Sequence, residues 1–449
     1  MIKIDEFLNS DLCDYASYDN LRKIASCIDG LKNASRKVIF TVLEKNIKEK
    51  TKVLQLANKA AEYSEYLHGD LSGVVTGLGA NYTGSNNLPL MTANGNFGSR
   101  LLPAASAPRY IFTFGTDELF KMFKREDLKI IKNQEFEGQR IEPVFYLPTL
   151  PILLINGSDG VSTGFKQTIL SRNPENMIEY IKGKITGKSF QAKTLSKLFM
   201  PFYKGFKGTF EEVSDEKNKY VCKGKISRIA SNKVMILDVP IGYDYKSYIK
   251  VLDKLCDNKV ILGYRDLCDT KQDIFKFEIK MTIADLKKFS DDDLLEKFKL
   301  VSTFTEILTC IDENNKIKIF ESPKDIVDHF IDVKMKYLQV RKEYLVNELT
   351  DEIKINASKY IFIKSIIDEK LKINNRKKDL IIKDLEKIPN IFKKNDTYDY
   401  LLNMQVYYFT KEKLDELHDK IMSLKEKLKE TSEMTLENMY LNDINELSL

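Results

Sequence analysis

The sequence predicts an α+β chain built in three successive parts. Three textures along its 449 residues carry that expectation. Residues 1–140 gather Gly- and Asn-rich turns between short helical patterns. Residues 141–325 mix short β-rich runs, such as Lys233-Val234-Met235-Ile236-Leu237, with helical stretches. Residues 326–449 are rich in Lys and Glu, poor in Gly, and mostly helical.

The last part has the clearest period. Phe330, Val333, Tyr337, Val340 and Tyr344 step by three and four, as do Leu414, Leu417, Ile421, Leu424 and Leu428. Such a/d seams belong to helices that pack on a partner. Pro389 and the Asn395-Asp396-Thr397 cluster mark turns between them. The pattern predicts two long antiparallel helices with a compact helical knob between.

Composition excludes several classes. Lys plus Arg is 71 and Asp plus Glu is 66, so the formal net charge is only +5. That balance does not by itself announce a nucleic-acid binder. No apolar run approaches the ~20 residues of a membrane-spanning helix. The first residues carry acid where a signal peptide is apolar. The six cysteines form no C-x-x-C pair and read as reduced, intracellular thiols. With three histidines, a multi-histidine metal site is disfavoured. No G-x-x-x-x-G-K-[ST] occurs, so there is no Walker-type ATP site. Asp291-Asp292-Asp293 resembles a metal cluster, but it precedes Leu294-Leu295 and reads as acids at a helix start.

The segment 84–113 holds the candidate chemistry. It reads GSNNLPLMTANGNFGSRLLPAASAPRYIFT. Its Gly and Asn residues favour tight turns, and the small residues 104–107 leave room beside Arg109-Tyr110. Two basic stretches flank it. Residues 31–52 hold seven basic residues against Glu44 and Glu49. Lys121, Lys124, Arg125, Lys129 and Lys132 form the second. Paired basic stretches around an Arg-Tyr pair suit contacts to a phosphate backbone.

Several motifs, in order, resemble the breakage-reunion subunit of type IIA DNA topoisomerases. Tyr18-Asp19-Asn20-Leu21-Arg22, Asp29-Gly30-Leu31 and Ser35-Arg36-Lys37-Val38 are similar to the family's opening helix-turn-helix signature. His68-Gly69-Asp70, Gly84-Ser85-Asn86-Asn87, Asn94-Gly95-Asn96-Phe97-Gly98 and Ala107-Pro108-Arg109-Tyr110 follow, with Pro108 where the family usually has Ala. Downstream come Glu142-Pro143, Gly160-Val161-Ser162-Thr163-Gly164, and residues 167–174 with Leu170 where proline is frequent. Tyr203-Lys204-Gly205, Arg341-Lys342-Glu343 and Leu401-Leu402-Asn403-Met404 complete the series. The Gly-Ser-Asn-Asn and Leu-Leu-Asn-Met elements are closest to eukaryotic enzymes and to the medium subunit of T-even-type bacteriophages.

The resemblance implies a winged-helix DNA-cleavage domain at 1–140, a mixed tower domain at 141–325, and a coiled-coil stalk with a dimer gate at 326–449. It implies an ATP-hydrolysing type II topoisomerase subunit that cuts both strands through a 5′-phosphotyrosyl link. Tyr110 is the expected nucleophile, Arg109 stabilises the transition state, and His68 supports the scissile phosphate. DNA contacts are expected from Arg36, Lys37, Lys45, Asn94, Ser99 and Arg100. Ile169 is expected to stand exposed and wedge between base pairs. Mg2+ and ATP are expected on a separate large subunit bearing the ATPase and TOPRIM domains, with no metal held by this chain. The expected partners are duplex DNA, that large subunit and a second copy at the C-gate, with no membrane. The expected location is the cytoplasm, or the host's cytoplasm or nucleoid for a phage product. The rival readings are a gyrase-like supercoiling subunit and a non-catalytic DNA-binding architectural homodimer.

Overall fold

The computed structural model describes residues 4–270 and 272–448. The chain forms two compact units rather than the three expected segments. The first comprises residues 1–334 with 441–449, and the second residues 335–440. The expected boundary at 325/326 thus falls inside the first unit. The reason is local: Phe330, Ile331 and Val333 are buried, and Lys334 Nζ reaches Asp127 Oδ2 at 2.8 Å and the Leu147 carbonyl at 3.0 Å.

In the first unit, the helix Asn33–Glu44 is buried continuously from Arg36 to Val42. A helix covered on every side needs internal partners for any charge it carries. The helices Val53–Tyr63 and Ser72–Gly79 pack beside it. Two-residue strands, Thr51–Lys52 and Phe112–Thr113, pair antiparallel and bring the end of the Gly/Asn-rich segment back to the start of the second helix. Farther along, a hairpin joins Ser158–Val161 to Lys166–Ile169.

The β-rich runs form a four-stranded antiparallel sheet in the order Gly263–Asp266, Phe277–Lys280, Lys233–Asp238, Lys225–Ala230. Strand Lys233–Asp238 alternates strictly, with Val234 and Ile236 fully buried. That is the period-two pattern of a strand with one face on the core. Val234 opposes Ile279 and Ile236 opposes Phe277. The helix Tyr245–Asp257 starts at a capping box of Asp244 and Ser247 and lays Tyr248, Leu252 and Leu255 into the same core. Asp291-Asp292-Asp293 opens the helix Asp291–Lys297, capped by Ser290 with Asp293 reciprocating.

The second unit holds most of the 45-residue helix Pro323–Ile367, and the helix Lys411–Glu433 returns antiparallel to it. Lys342 Nζ bonds the Met434 carbonyl at 2.7 Å, and Glu352 pairs with Lys420 at 2.9 Å. The second seam is followed, with Ile421 and Leu424 buried. The first drifts: Val340 is exposed, while Leu338 and Arg341 are buried in its place. Between the helices, Phe362, Leu371, Ile381, Leu385, Ile391, Tyr398 and Leu401 form a separate small core. The turn at Asn395-Asp396 places both residues in the left-handed region, which Asn and Asp tolerate.

Arg172 is fully buried and so is Glu306, its partner 134 residues away. Arg172 Nη2 meets Glu306 Oε2 at 2.6 Å, and Nε donates to the Phe199 carbonyl at 3.1 Å. Burial opposes the guanidinium charge, but Glu306 more than offsets it and raises the Arg172 pKa. Glu306→Ala leaves that charge unpaired. It is expected to cost about 3–5 kcal/mol, read as a lower urea midpoint for the first unit; an unchanged midpoint would contradict this role.

Candidate active site

The segment carrying Tyr110 is closed by backbone pairing. Asn94 N–H donates to the Phe112 carbonyl at 3.1 Å, and Phe112 N–H returns to the Asn94 carbonyl at 2.9 Å. Asn94 therefore closes the base of the loop. Ser99 and Leu102 make a turn, with Leu102 N–H donating to Ser99 Oγ at 3.0 Å. Gly98 sits at φ +92, and a Cβ there would lie 2.4 Å from the Pro103 carbonyl oxygen, so only glycine fits. Tyr110 N–H donates to the Ala107 carbonyl at 2.9 Å in a final turn. Ile111 is then buried as a plug, and Val53 N–H donates to its carbonyl at 3.0 Å.

This leaves Tyr110 67% exposed, with its phenol presented to solvent. The Arg109 guanidinium lies 4.9 Å from the ring centroid. Stacking of this kind holds a cation beside the phenol without consuming its N–H donors. The pair thus combines an accessible hydroxyl with an adjacent cationic fork.

His68 is also exposed, but among the described residues its contacts are with Tyr18 and Tyr66, not Tyr110. Tyr18 Oη lies 2.6 Å from His68 Nε2. Tyr18 was legible only as one letter of a motif. Its link to His68 spans 50 residues and has no signal in the sequence.

Three of the residues expected to contact DNA are buried in internal ion pairs. Arg36 is buried, and its Nε donates to Asp29 Oδ2 at 2.7 Å. Asp29 also accepts from Leu31 N–H and Tyr146 N–H. Burial works against the Arg36 charge, but Asp29 outweighs it and the pKa is raised. Lys37 is buried between Glu142, at 2.8 Å, and the Ser64 carbonyl, at 2.7 Å. Arg100 is buried against Asp238 and the Val239 carbonyl, between the rings of Phe206 and Phe275. Burial pulls its pKa down and Asp238 opposes that pull. All three are enclosed in ion pairs inside the first unit.

Lys45 does remain exposed, 4.0 Å from the centroid of Tyr63. The second basic stretch is partly spent on the chain's own C-terminal segment. Lys121 bonds Ser448 at 2.8 Å, and Lys124 pairs with Glu446 and Asp443.

Ile169 is 4% exposed at the end of the hairpin, where exposure was expected. Its polar neighbours suggested exposure, but Gln167 and Arg172 are themselves buried and satisfied by backbone carbonyls. The exposed apolar side chains of this hairpin are Val161 and Phe165. Its turn is tied to the helix Asp11–Lys23. Asp19 Oδ2 accepts from Thr163 N–H and Oγ1, both at 3.0 Å, and Asn20 accepts from Ser162 Oγ at 2.6 Å. The hydrogen bond from Lys23 is the main reason that the Asp19 pKa is lowered. Gly160 permits the approach, since a Cβ there would meet the Lys23 carbonyl oxygen at 2.4 Å.

Residues 22–448 match the family of the DNA gyrase/topoisomerase IV A-subunits. The mitochondrial DNA topoisomerase 2 of Dictyostelium discoideum is 32% identical over 459 residues, covering 99% of this chain and 35% of that protein. Human DNA topoisomerase 2-alpha is 32% identical over 460 residues, covering 92% of this chain and 29% of its own length. The crystal structure of the Plasmodium falciparum topoisomerase II DNA-binding, cleavage and re-ligation domain superposes with a TM-score of 0.88 at 32% identity. That alignment covers 98% of this chain and 63% of the other. The chain thus spans about a third of the length of these curated relatives.

Asp238→Ala removes the anchor of the loop before Tyr110. Limited proteolysis should then cut within residues 99–107 faster than in the parent, at protease levels that leave the parent intact. Equal cutting rates would show that Arg100 does not hold the loop.

Proposed function

Because the chain belongs to the DNA gyrase/topoisomerase IV A-subunit family, we propose that it cuts and rejoins duplex DNA for a type II topoisomerase. The single observation that carries this is the exposed Tyr110 beside the Arg109 guanidinium, on a loop closed at both ends. Tyr110 Oη attacks a backbone phosphorus, and the bond from phosphorus to the 3′ oxygen breaks. The phenol proton departs, the 3′ oxygen takes up a proton, and the 5′ phosphate stays on the tyrosine. A phosphodiester is exchanged for a phosphodiester, so the reverse step reseals the strand without an energy source. Arg109 supplies two N–H groups to the non-bridging oxygens as charge builds on them. His68 donates an N–H to the same phosphate.

Among the described residues, no group of three His, Cys, Asp or Glu is placed to hold a metal ion. No step is therefore assigned to a metal held by this chain. In our reading, magnesium and ATP belong to a separate large subunit. That arrangement resembles T-even-type phages, whereas the relatives named above carry the matched third within longer chains. A second copy would join through the second unit, where Leu380, Phe392 and Tyr407 are exposed apolar residues. Two copies give two tyrosines and a cut in each strand.

Tyr110→Phe should abolish protein linked to DNA 5′ ends after detergent denaturation, with DNA affinity unchanged. The assay mixes the chain with its large subunit, magnesium and plasmid. Continued cleavage would sink the nucleophile assignment; binding without cleavage by the parent would favour an architectural role. Net negative supercoiling with ATP would favour the gyrase-like reading. Lys45→Met should lower the slope of log affinity against log salt by about 0.9, one phosphate contact's worth. Lys37→Met should leave that slope as it is and lower the unfolding midpoint instead.

A further inference from the structure

The Tyr18–His68 pair assigns a direction to the histidine. A neutral imidazole has one N–H donor and one lone-pair acceptor. A phosphate oxygen only accepts, so a histidine supporting it must turn an N–H toward it. Nε2 is already taken by Tyr18 Oη at 2.6 Å, which leaves Nδ1 for the phosphate. Were Nε2–H donating to Tyr18, Nδ1 would face the anion with its lone pair and repel it. We propose that Tyr18 is a positioning residue: it donates its O–H to Nε2 and so fixes the Nδ1–H form that His68 needs. This rests on the reading of His68 given above.

The surroundings suit such a role. The next two residues after Tyr18, Asp19 and Asn20, are buried and clamp the helix to the hairpin turn at Ser162 and Thr163. The Arg22 guanidinium lies 5.7 Å from the Tyr18 ring centroid. Tyr66 meets the His68 ring edge-on at 5.8 Å, so the imidazole is flanked by two aromatic rings. A hydroxyl on a clamped helix is a fixed reference for a ring on an otherwise exposed turn. The same clamp ties His68 to the hairpin that carries Val161 and Phe165.

The test is spectroscopic and uses the full chain. With histidine at 68, 329 and 418 only, the ring nitrogen signals of 15N-histidine-labelled protein are few enough to assign. The parent should show His68 as Nδ1–H. Tyr18→Phe should move it toward Nε2–H, the form an unconstrained side chain favours, while the His329 and His418 signals stay put. In the assembled enzyme the same variant should form about fivefold less covalent complex at saturating DNA, the scale of one hydrogen bond, with unchanged DNA affinity. Adding Tyr18→Phe to His68→Ala should cost nothing more. An Nε2–H parent, unchanged ring signals in Tyr18→Phe, or parental cleavage by that variant overturns the proposal. If His68→Ala itself cleaves like the parent, the role of His68 fails and Tyr18's falls with it. A defective His68→Ala beside a fully active Tyr18→Phe removes Tyr18 alone.

Discussion

The loop that carries Tyr110 is anchored at one end by the buried Arg100–Asp238 pair, with Leu101 beside it in the core of the four-stranded sheet. Residues 102–107 are Leu, Pro, Ala, Ala, Ser and Ala, none of them buried. Without an anchor, such a segment would sample many conformations and lose its tyrosine's position. The Arg100 guanidinium lies 5.5 Å from the Phe206 and 5.2 Å from the Phe275 ring centroid, and its own backbone N–H donates to Asp273 at 2.7 Å. Ile111 and the paired strands fix the other end. The reactive group is thereby exposed while its backbone is not free.

That arrangement also explains the modest net charge. Three basic residues expected to face DNA are committed to buried pairs, Arg36 with Asp29, Lys37 with Glu142 and Arg100 with Asp238, and Arg172 is likewise buried with Glu306. Each pair costs desolvation, and all but Arg36–Asp29 join parts of the chain more than a hundred residues apart. Acids that look like mere solubilising charge in the sequence are the partners these cations require.

Part of this was legible beforehand. The alternation at residues 233–237 specifies a strand because one face must be apolar, and the acids at 291–293 specify a helix start because the dipole favours them. The Arg109-Tyr110 loop was legible because glycine and small residues announce close backbone approach. What the sequence could not show was burial of charge. Arg36 and Lys45 are both cations of one basic stretch, yet Arg36 is enclosed with Asp29, which also accepts from Leu31 and Tyr146, and Lys45 is exposed. The exposure expected of Ile169 was misread for the mirror reason: polar neighbours signal a surface only when they are not themselves satisfied inside.

The return of residues 441–448 to the first unit has a consequence for synthesis. Lys121, Lys124 and Lys182 wait for partners 263 to 327 positions later in the chain. A ribosome must therefore finish all of residues 335–440 before those lysines can meet their partners. Contacts of such long sequence separation form late. During translation the second unit can settle its own small core while the first still lacks its closing segment. Residues 441–448 complete the first unit only after the whole second unit has been made.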